Sequence, residues 1–438
     1  MKLWPGNGRR QALAVASACA VAALGVAACG SSSGGGSGTS AGKQVAASAK
    51  QTIVFATQGL GGEGTATKAA VAAFEKIHPN IKVQILSLSP TSDVALEQLQ
   101  HYFIAGSATP DVITTDVTWP ATFARSGWLD NLSSLHPDTT AFFAGQVATG
   151  QFNGGTYAMP WFINAEGLYY RTDLVKTPPT SVSQLVSDAR TAMARDKSLK
   201  EGLAFEGAEY EGAVTAFQSM GAQISLKDLS NIATPANTTA LNFMSSAIHS
   251  YKIAPSAVTG WEESNVQAAW LSGQTPFALN WPYIYQLSES KTGGKAAYPA
   301  VAGKTGWVPF PSATPQSSLG GDDLAINARS THKAAAWEFI QYLDSASAQD
   351  TRAINAGDPP SLKSAYNSAL YAAAPYYKQE QAVYNVVVPR PVTPVYPSIS
   401  SQLQTMISSV LSGQSPAAAA LKGAAPTVQQ LYQTASTG

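Results

Sequence analysis

Residues 52–115 alternate between short β-forming runs and helical ones, and that order constrains the fold more than any other feature of the chain. Thr52-Ile-Val-Phe-Ala-Thr57 predicts a short buried strand. Lys68 to Ile77 predicts a helix with Ala and Phe at helical spacing. Asn80-Ile-Lys-Val-Gln-Ile-Leu86 predicts a second strand. A further helix over roughly Asp93 to Ala105 leads to Pro110-Asp-Val-Ile-Thr-Thr115, a third strand. Strands separated by helices pair in parallel through right-handed crossovers, so the expected class is α/β. In open sheets of this kind, ligands collect beyond the carboxyl ends of the strands.

The chain has 438 residues, enough for two or three domains, and is 45% hydrophobic with only 12% charged residues. Most of it should therefore bury a core. Positive and negative charges balance, and basic residues cluster no further than pairs, which argues against nucleic acid as a partner. Residues 1–29 carry the marks of a targeting segment. Lys2, Arg9 and Arg10 form a positive start, and Gln11 to Leu24 is a short apolar run. Val26-Ala-Ala-Cys29 then resembles a bacterial lipobox, in which Cys29 takes the lipid. The Gly/Ser tract from Gly30 onwards suits a flexible tether over residues 30–50. Without Lys2, Arg9 and Arg10 the chain has 24 basic and 27 acidic residues, a net charge of −3. Cys19 leaves with the signal, so no disulfide is expected in the folded part.

The stretch Tyr157-Ala-Met-Pro160, followed by Glu166-Gly-Leu-Tyr-Tyr-Arg171, Leu174 and Pro178-Pro-Thr180, predicts a strand that passes from one lobe to another. These residues resemble the hinge crossing of the extracellular sugar-binding proteins (family 1) of ABC importers, most closely the trehalose/maltose-binding branch. The resemblance covers nearly the whole chain after residue 50. It implies a two-lobed, periplasmic-binding-protein-like fold with three hinge crossings, near residues 160, 323 and 388. The lobes would be 51–162 with 324–387, and 163–323 with 388–438. Helices are expected at Ser181–Asp196, Glu211–Met220, Pro235–Tyr251, Asn265–Ser272, Lys333–Ser345, Ala348–Asn355, Ser398–Leu411 and Pro416–Thr434. Pro276–Asn280 and Asp323–Asn327 are expected strands.

Gly59-Leu-Gly-Gly-Glu-Gly64 has the form of a dinucleotide fingerprint, but the second strand ends in Ser87-Leu-Ser89 without the acidic residue such a site needs. No cofactor is expected. The resemblance instead makes this the first cleft-lining loop, with Glu63 as an acidic contact. Asp116 follows a parallel strand, where it can cap the next helix or accept ligand hydroxyls. The resemblance favours the second role, and it also puts Asn164 at the crossing, where an Asp is common. In Phe205-Glu-Gly-Ala-Glu-Tyr-Glu-Gly212 the acids can cap a helix or meet a ligand, and Tyr210 and Glu211 lie nearest the family pattern. Glu262 and Glu263 are adjacent and expected to point apart, with Glu263 the better match.

Asn280-Trp-Pro-Tyr283 is the strongest chemical signal after the hinge. Pro282 breaks the strand and leaves Trp281 and Tyr283 at an element end. Aromatic rings there can stack on the apolar face of a pyranose. Leu319-Gly-Gly-Asp-Asp-Leu324 is an expected second glycine loop, supplying Gly320, Gly321 and Asp322. Arg390, held between two prolines, can bridge the lobes or donate a fork of hydrogen bonds to sugar hydroxyls. The five histidines lack metal-ligand spacing, so no metal is expected. No serine triad or nucleophile elbow is visible. The resemblance thus implies a monomeric, lipid-anchored lipoprotein on the outer face of the bacterial cytoplasmic membrane. It would capture a di- or oligosaccharide and deliver it to the transmembrane subunits of an ABC permease. It would not be an enzyme. The rival is a secreted glycoside hydrolase, which would need two carboxylates at a set separation.

Overall fold

The computed structural model describes residues 44–46 and 48–436. The expected signal segment, Cys29 and residues 30–43 of the expected tether lie outside the described residues. The end of that tether region is docked. Val45 N–H donates to the Thr331 carbonyl (2.8 Å), and the Gln44 amide donates to the Ser330 carbonyl (2.8 Å). The glycines end at Gly42, before this stretch, so its backbone can order against the domain.

The expected alternation forms β1 (Gln51–Thr57), α1 (Glu63–Ile77), β2 (Ile81–Ser87), α2 (Ser92–Ile104) and β3 (Val112–Asp116). Helix α1 starts five residues earlier than its apolar spacing suggests. Gly61 takes a positive φ of 52° to make the turn, and the Glu63 carboxylate folds back to accept the Leu60 N–H (2.6 Å). An acid in a first helical turn also complements the helix dipole. After the short helix α3 (Pro120–Arg125), β4 (Ala158–Ala165) and β5 (Gly167–Arg171) run through the first crossing. Next come α4 (Val182–Arg195), α5 (Glu211–Ser219), α6 (Pro235–His249) and α7 (Glu263–Leu271). They are followed by β6 (Phe277–Asn280), α8 (Tyr283–Ser288), β7 (Thr305–Val308) and β8 (Leu319–Ile326). Helices α9 (Lys333–Leu343), α10 (Ala346–Ala356), α11 (Tyr377–Tyr384), α12 (Tyr396–Leu411) and α13 (Ala417–Ser436) complete the main elements. Side-chain caps set several of these starts: Ser181 accepts the Gln184 N–H before α4, and Thr234 accepts the Asn237 N–H before α6.

The fold is two-lobed. The first sheet has the order β2-β1-β3-β8-β4, with β1, β2 and β3 parallel and β8 antiparallel to both its neighbours. The second sheet, β7-β5-β6, is antiparallel. Phe55, Phe74, Trp161, Leu324 and Phe339 share one core, and Leu168, Phe205, Phe217, Phe277, Leu403 and Leu421 share another. Between them the three crossings lie side by side. Glu166 N–H donates to the Ser318 carbonyl (3.2 Å), and Leu319 N–H donates to the Val388 carbonyl (2.9 Å). Val388 N–H donates to the Ser317 carbonyl (2.9 Å).

The expected glycine loop at residues 319–324 is instead part of β8. Gly and Asp disfavour strands on propensity, but here the backbone pairs with β4 on one side and β3 on the other. The register skips Trp161 between Asp322 and Asp323, a bulge that bends the strand at the hinge. Gly321 has φ of 100°, and a Cβ built on it would sit 2.1 Å from the Phe162 carbonyl. Gly321→Ala should therefore lower stability by ~2–4 kcal/mol, combining backbone strain and overpacking. Thermal denaturation followed by circular dichroism checks this, and an unchanged melting temperature would show that β8 relaxes around the methyl group.

Candidate functional site

A cleft with an accessible volume of about 130 Å³ lies beyond the carboxyl ends of β1 and β3. On that side it is lined by Gln58 and Gly59 after β1, by Glu63, by Thr91 and Ser92 at the start of α2, and by Asp116. The hinge strands contribute Phe162 and Asn164 from β4 and Gly320, Gly321 and Asp322 from β8. The facing wall carries Glu206, Tyr210, Glu211, Glu262, Glu263, Trp281 and Tyr283, and the third crossing adds Arg390. All eleven binding candidates named from the sequence thus meet in one cleft.

Arg390 is buried where it meets two acids from different elements. Nη1 donates to Glu211 Oε1 (2.6 Å), and Nη2 lies 3.3 Å from both oxygens of Asp116. Nη2 also reaches the Leu319 carbonyl at 3.4 Å. Glu211 is saturated, since Tyr396 donates to Oε1 (2.6 Å) and Ser400 donates to Oε2. Burial opposes the Arg390 charge, but Asp116 and Glu211 outweigh it and hold the guanidinium protonated. Asp116 does not cap α3. Its Oδ1 accepts the Thr118 N–H (2.9 Å) and hydroxyl (2.7 Å) in an Asx turn, and the same oxygen faces Arg390.

The aromatic wall is built locally. Asn280 Oδ1 accepts the Trp281 N–H (2.7 Å), and the chain turns through Pro282 into α8. The Trp281 ring then packs on Gly320, where a Cβ would come within 2.6 Å of it. Tyr283 is buried and donates to Gln267 Oε1 (3.2 Å). Tyr210 accepts the Glu263 N–H (2.8 Å) and donates to the Glu206 carboxylate.

Adjacent Glu262 and Glu263 both line the cleft, contrary to the expectation that only one faces it. Glu262 is the extended cap of α7 and Glu263 its first helical residue, so the backbone changes conformation between them. Glu206 was passed over in sequence; its only signal was membership of the acidic run before α5. It is almost fully buried, and its Oε1 lacks a hydrogen-bond partner. Burial raises its pKa to about 7, offset in part by the Tyr210 hydroxyl. Burial, with the Asp116 charge next, raises Asp322 to about 8. Glu63 and Glu263 are also held well above the ordinary carboxylate range by burial, then by Asp358 and Glu206 respectively. The cleft can therefore accept many hydrogen bonds, stack a flat apolar face and exclude water. Among the described residues no cluster could hold a metal ion, and no helix is long and apolar enough to cross a membrane.

Two hydrogen bonds close the mouth. Thr91 Oγ1 donates to Glu262 Oε2 (2.8 Å), and Gln404 Nε2 donates to Asp93 Oδ2 (3.0 Å). Burial raises Asp93 from 3.8 to about 6, and the Glu211 charge adds to it. The folded protein then prefers protonated Asp93. That contribution to stability is complete below the unfolded value and is lost as pH rises through about 6. Asp93→Asn keeps an acceptor for Gln404 without the charge. It should melt with wild type at about pH 4 and a few degrees above it at about pH 7.5. A constant difference across that range would place the effect elsewhere.

The sequence profile of bacterial extracellular solute-binding proteins matches residues 58–350. A probable ABC transporter-binding protein of Deinococcus radiodurans is 31% identical over 85% of this chain and 91% of its own length. Among solved structures, the maltose-bound MalE3 of T. maritima is 30% identical, with a TM-score of 0.81 over 87% of this chain and 99% of that one. The GacH receptor of Streptomyces glaucescens, solved unliganded and with acarbose, has the same fold at 23% identity. Its TM-score is 0.78, covering 87% of this chain and 98% of the receptor.

Proposed function

We propose, from the premise that this chain belongs to the bacterial extracellular solute-binding protein family, that it captures a di- or oligosaccharide between its lobes for an ABC importer. The observation that carries this reading is Trp281. Its ring stands at an element end, seated on Gly320 of the hinge, amid hydrogen-bond acceptors from both walls. A pyranose offers an apolar C–H face for such a ring and a rim of hydroxyls for Glu63, Asp116, Asn164, Tyr210, Glu263, Asp322 and Arg390. Maltose in the T. maritima relative and acarbose in the S. glaucescens receptor support a di- or oligosaccharide as the ligand. Trehalose or maltose is the first candidate, given the likeness of the hinge residues to that branch.

Residues 51–162 and 324–387 form one proposed lobe, and 163–323 and 388–438 the other. A sugar that bonds both walls has higher affinity for the closed arrangement and shifts the population towards it. The closed surface is what the permease would engage, with the protein acting as a monomer. Cys29 and the Gly/Ser tract after it support a lipid anchor that leaves the domain outside the cytoplasmic membrane. Delivery rather than hydrolysis is the proposed outcome, despite the abundance of cleft carboxyls.

Titration calorimetry with maltose, trehalose and longer glucans, run beside a product assay, tests the function. Binding without turnover is expected, and release of shorter sugars would select a glycoside hydrolase instead. Trp281→Ala should weaken the bound sugar by at least about 2 kcal/mol, roughly thirtyfold, with the melting temperature unchanged. Retained affinity would make the ring part of the wall rather than a platform. Cys29→Ser should move the protein from the membrane to the soluble fraction, and continued membrane retention would remove the lipid anchor.

A further inference from the structure

We propose that the saccharide held in this cleft carries a basic nitrogen: it contains an amino sugar unit, protonated near neutral pH, rather than hydroxyls alone. This rests on the reading of the cleft as a sugar site and narrows it.

Charge balance is the ground for it. Among the described residues, seven carboxyl groups line the cleft against a single guanidinium, that of Arg390, and no lysine lines it. Arg390 is already committed to Asp116 and Glu211. Glu262 is occupied in another way, accepting the Thr91 hydroxyl and capping α7. Four carboxyls remain without a cationic partner: Glu63, Glu206, Glu263 and Asp322. Glu63 accepts the Leu60 N–H, and Glu206 accepts the Tyr210 hydroxyl. Asp322 has no side-chain hydrogen bond or ion pair among the described residues. Glu206 is the decisive group. It is 1% exposed and lines the cleft, yet its Oε1 has no partner at all.

A second cation, Arg352, reaches Glu63 and Asp322 with its charge and lowers the pKa of both, but burial outweighs it. Arg352 pairs with Asp358 (2.7 Å), donates to Thr67 (3.1 Å) and lies 3.9 Å over the Trp161 ring. A metal ion is not the missing charge either, because among the described residues no three acidic groups converge closely enough to hold one. Compensation then comes from protons in the empty cleft or from a cationic ligand that displaces them. A hydroxyl brings one donor and no charge, whereas an ammonium brings three donors and a full positive charge. Trp281, Tyr210 and Tyr283 also line the cleft, and aromatic faces attract a desolvated cation in addition. The raised pKa values of Glu206 and Asp322 agree with carboxyls that lack a counter-ion in the empty cleft.

The test compares saccharides that differ by a single hydroxyl-to-amine exchange, or by one such exchange per ring. Trehalose is paired with 2-amino-2-deoxytrehalose, and cellobiose with the fully deacetylated chitosan disaccharide. Affinities of the full soluble chain are measured by calorimetry at about pH 7, in buffers of different ionisation heat and at low and high salt. The amino member of at least one pair should bind about tenfold tighter, as charge-assisted hydrogen bonds outdo neutral ones. Its advantage should shrink in high salt, and its enthalpy should depend on the buffer as protons leave the carboxyls. Glu206→Gln, checked for an unchanged melting temperature, should remove most of that advantage and move the neutral member's affinity less than about threefold. Neutral members binding as tightly as the amino members would overturn the charge assignment and leave the sugar reading intact. Failure of every saccharide to bind would overturn the sugar reading and this one with it.

Discussion

The guanidinium of Arg390 is the interaction on which the geometry of the cleft depends. It comes from the third crossing, and its two acids come from the end of β3 and the start of α5. One side chain therefore ties the hinge to both walls. A buried ion of this kind is tolerable only when its hydrogen bonds are met, and here both partners and a backbone carbonyl meet them. Two prolines flank Arg390 and restrict its backbone, so little entropy is lost in aiming the fork. Among the described residues, the same pairing consumes the only cationic side chain that lines the cleft. Every other carboxyl there must be stabilised by hydroxyls, by protons or by what binds.

Around that contact the three crossings lie side by side. Ser317, Ser318 and Leu319 exchange hydrogen bonds with Glu166 on one side and Val388 on the other. Ser318 is held further by the Ser219 hydroxyl (3.0 Å) and the Thr215 carbonyl (2.9 Å). The two principal cores remain separate clusters. An aromatic cluster spans the outer side of the hinge. Tyr376 stacks on Tyr285 at 4.2 Å, and Tyr384 donates to the buried Glu380 (2.7 Å). It had no signature in the sequence, because its members are spread along the chain and carry no repeat.

Local chemistry made much of this protein legible before any coordinates. The β-α-β-α-β order of residues 51–116 was readable because each strand is a short apolar run and each helix has its own period. Trp281 and Tyr283 announced themselves because Pro282 has to end a strand. The misreadings are equally local. Gly320 and Gly321 looked like a loop because propensity describes a residue by itself, whereas pairing with β4, continued by β3 from Asp322 onwards, decided the matter. Glu262 and Glu263 were separated by a rule for regular elements, and the α7 start breaks that regularity.

The sequence by itself thus determined the fold class, the hinge crossings and the kinds of side chain that the cleft gathers. These follow from patterns within a few residues, or from likeness to a known family. Tertiary structure alone decided how those side chains share charge. Arg390 lies 179 residues from Glu211 and 274 from Asp116. Nothing in the order of residues shows that its charge is spent on them, or that Glu206 is left buried with an unpaired oxygen. Pairing between charged groups depends on distance and on loss of water, and both exist only once the chain has folded.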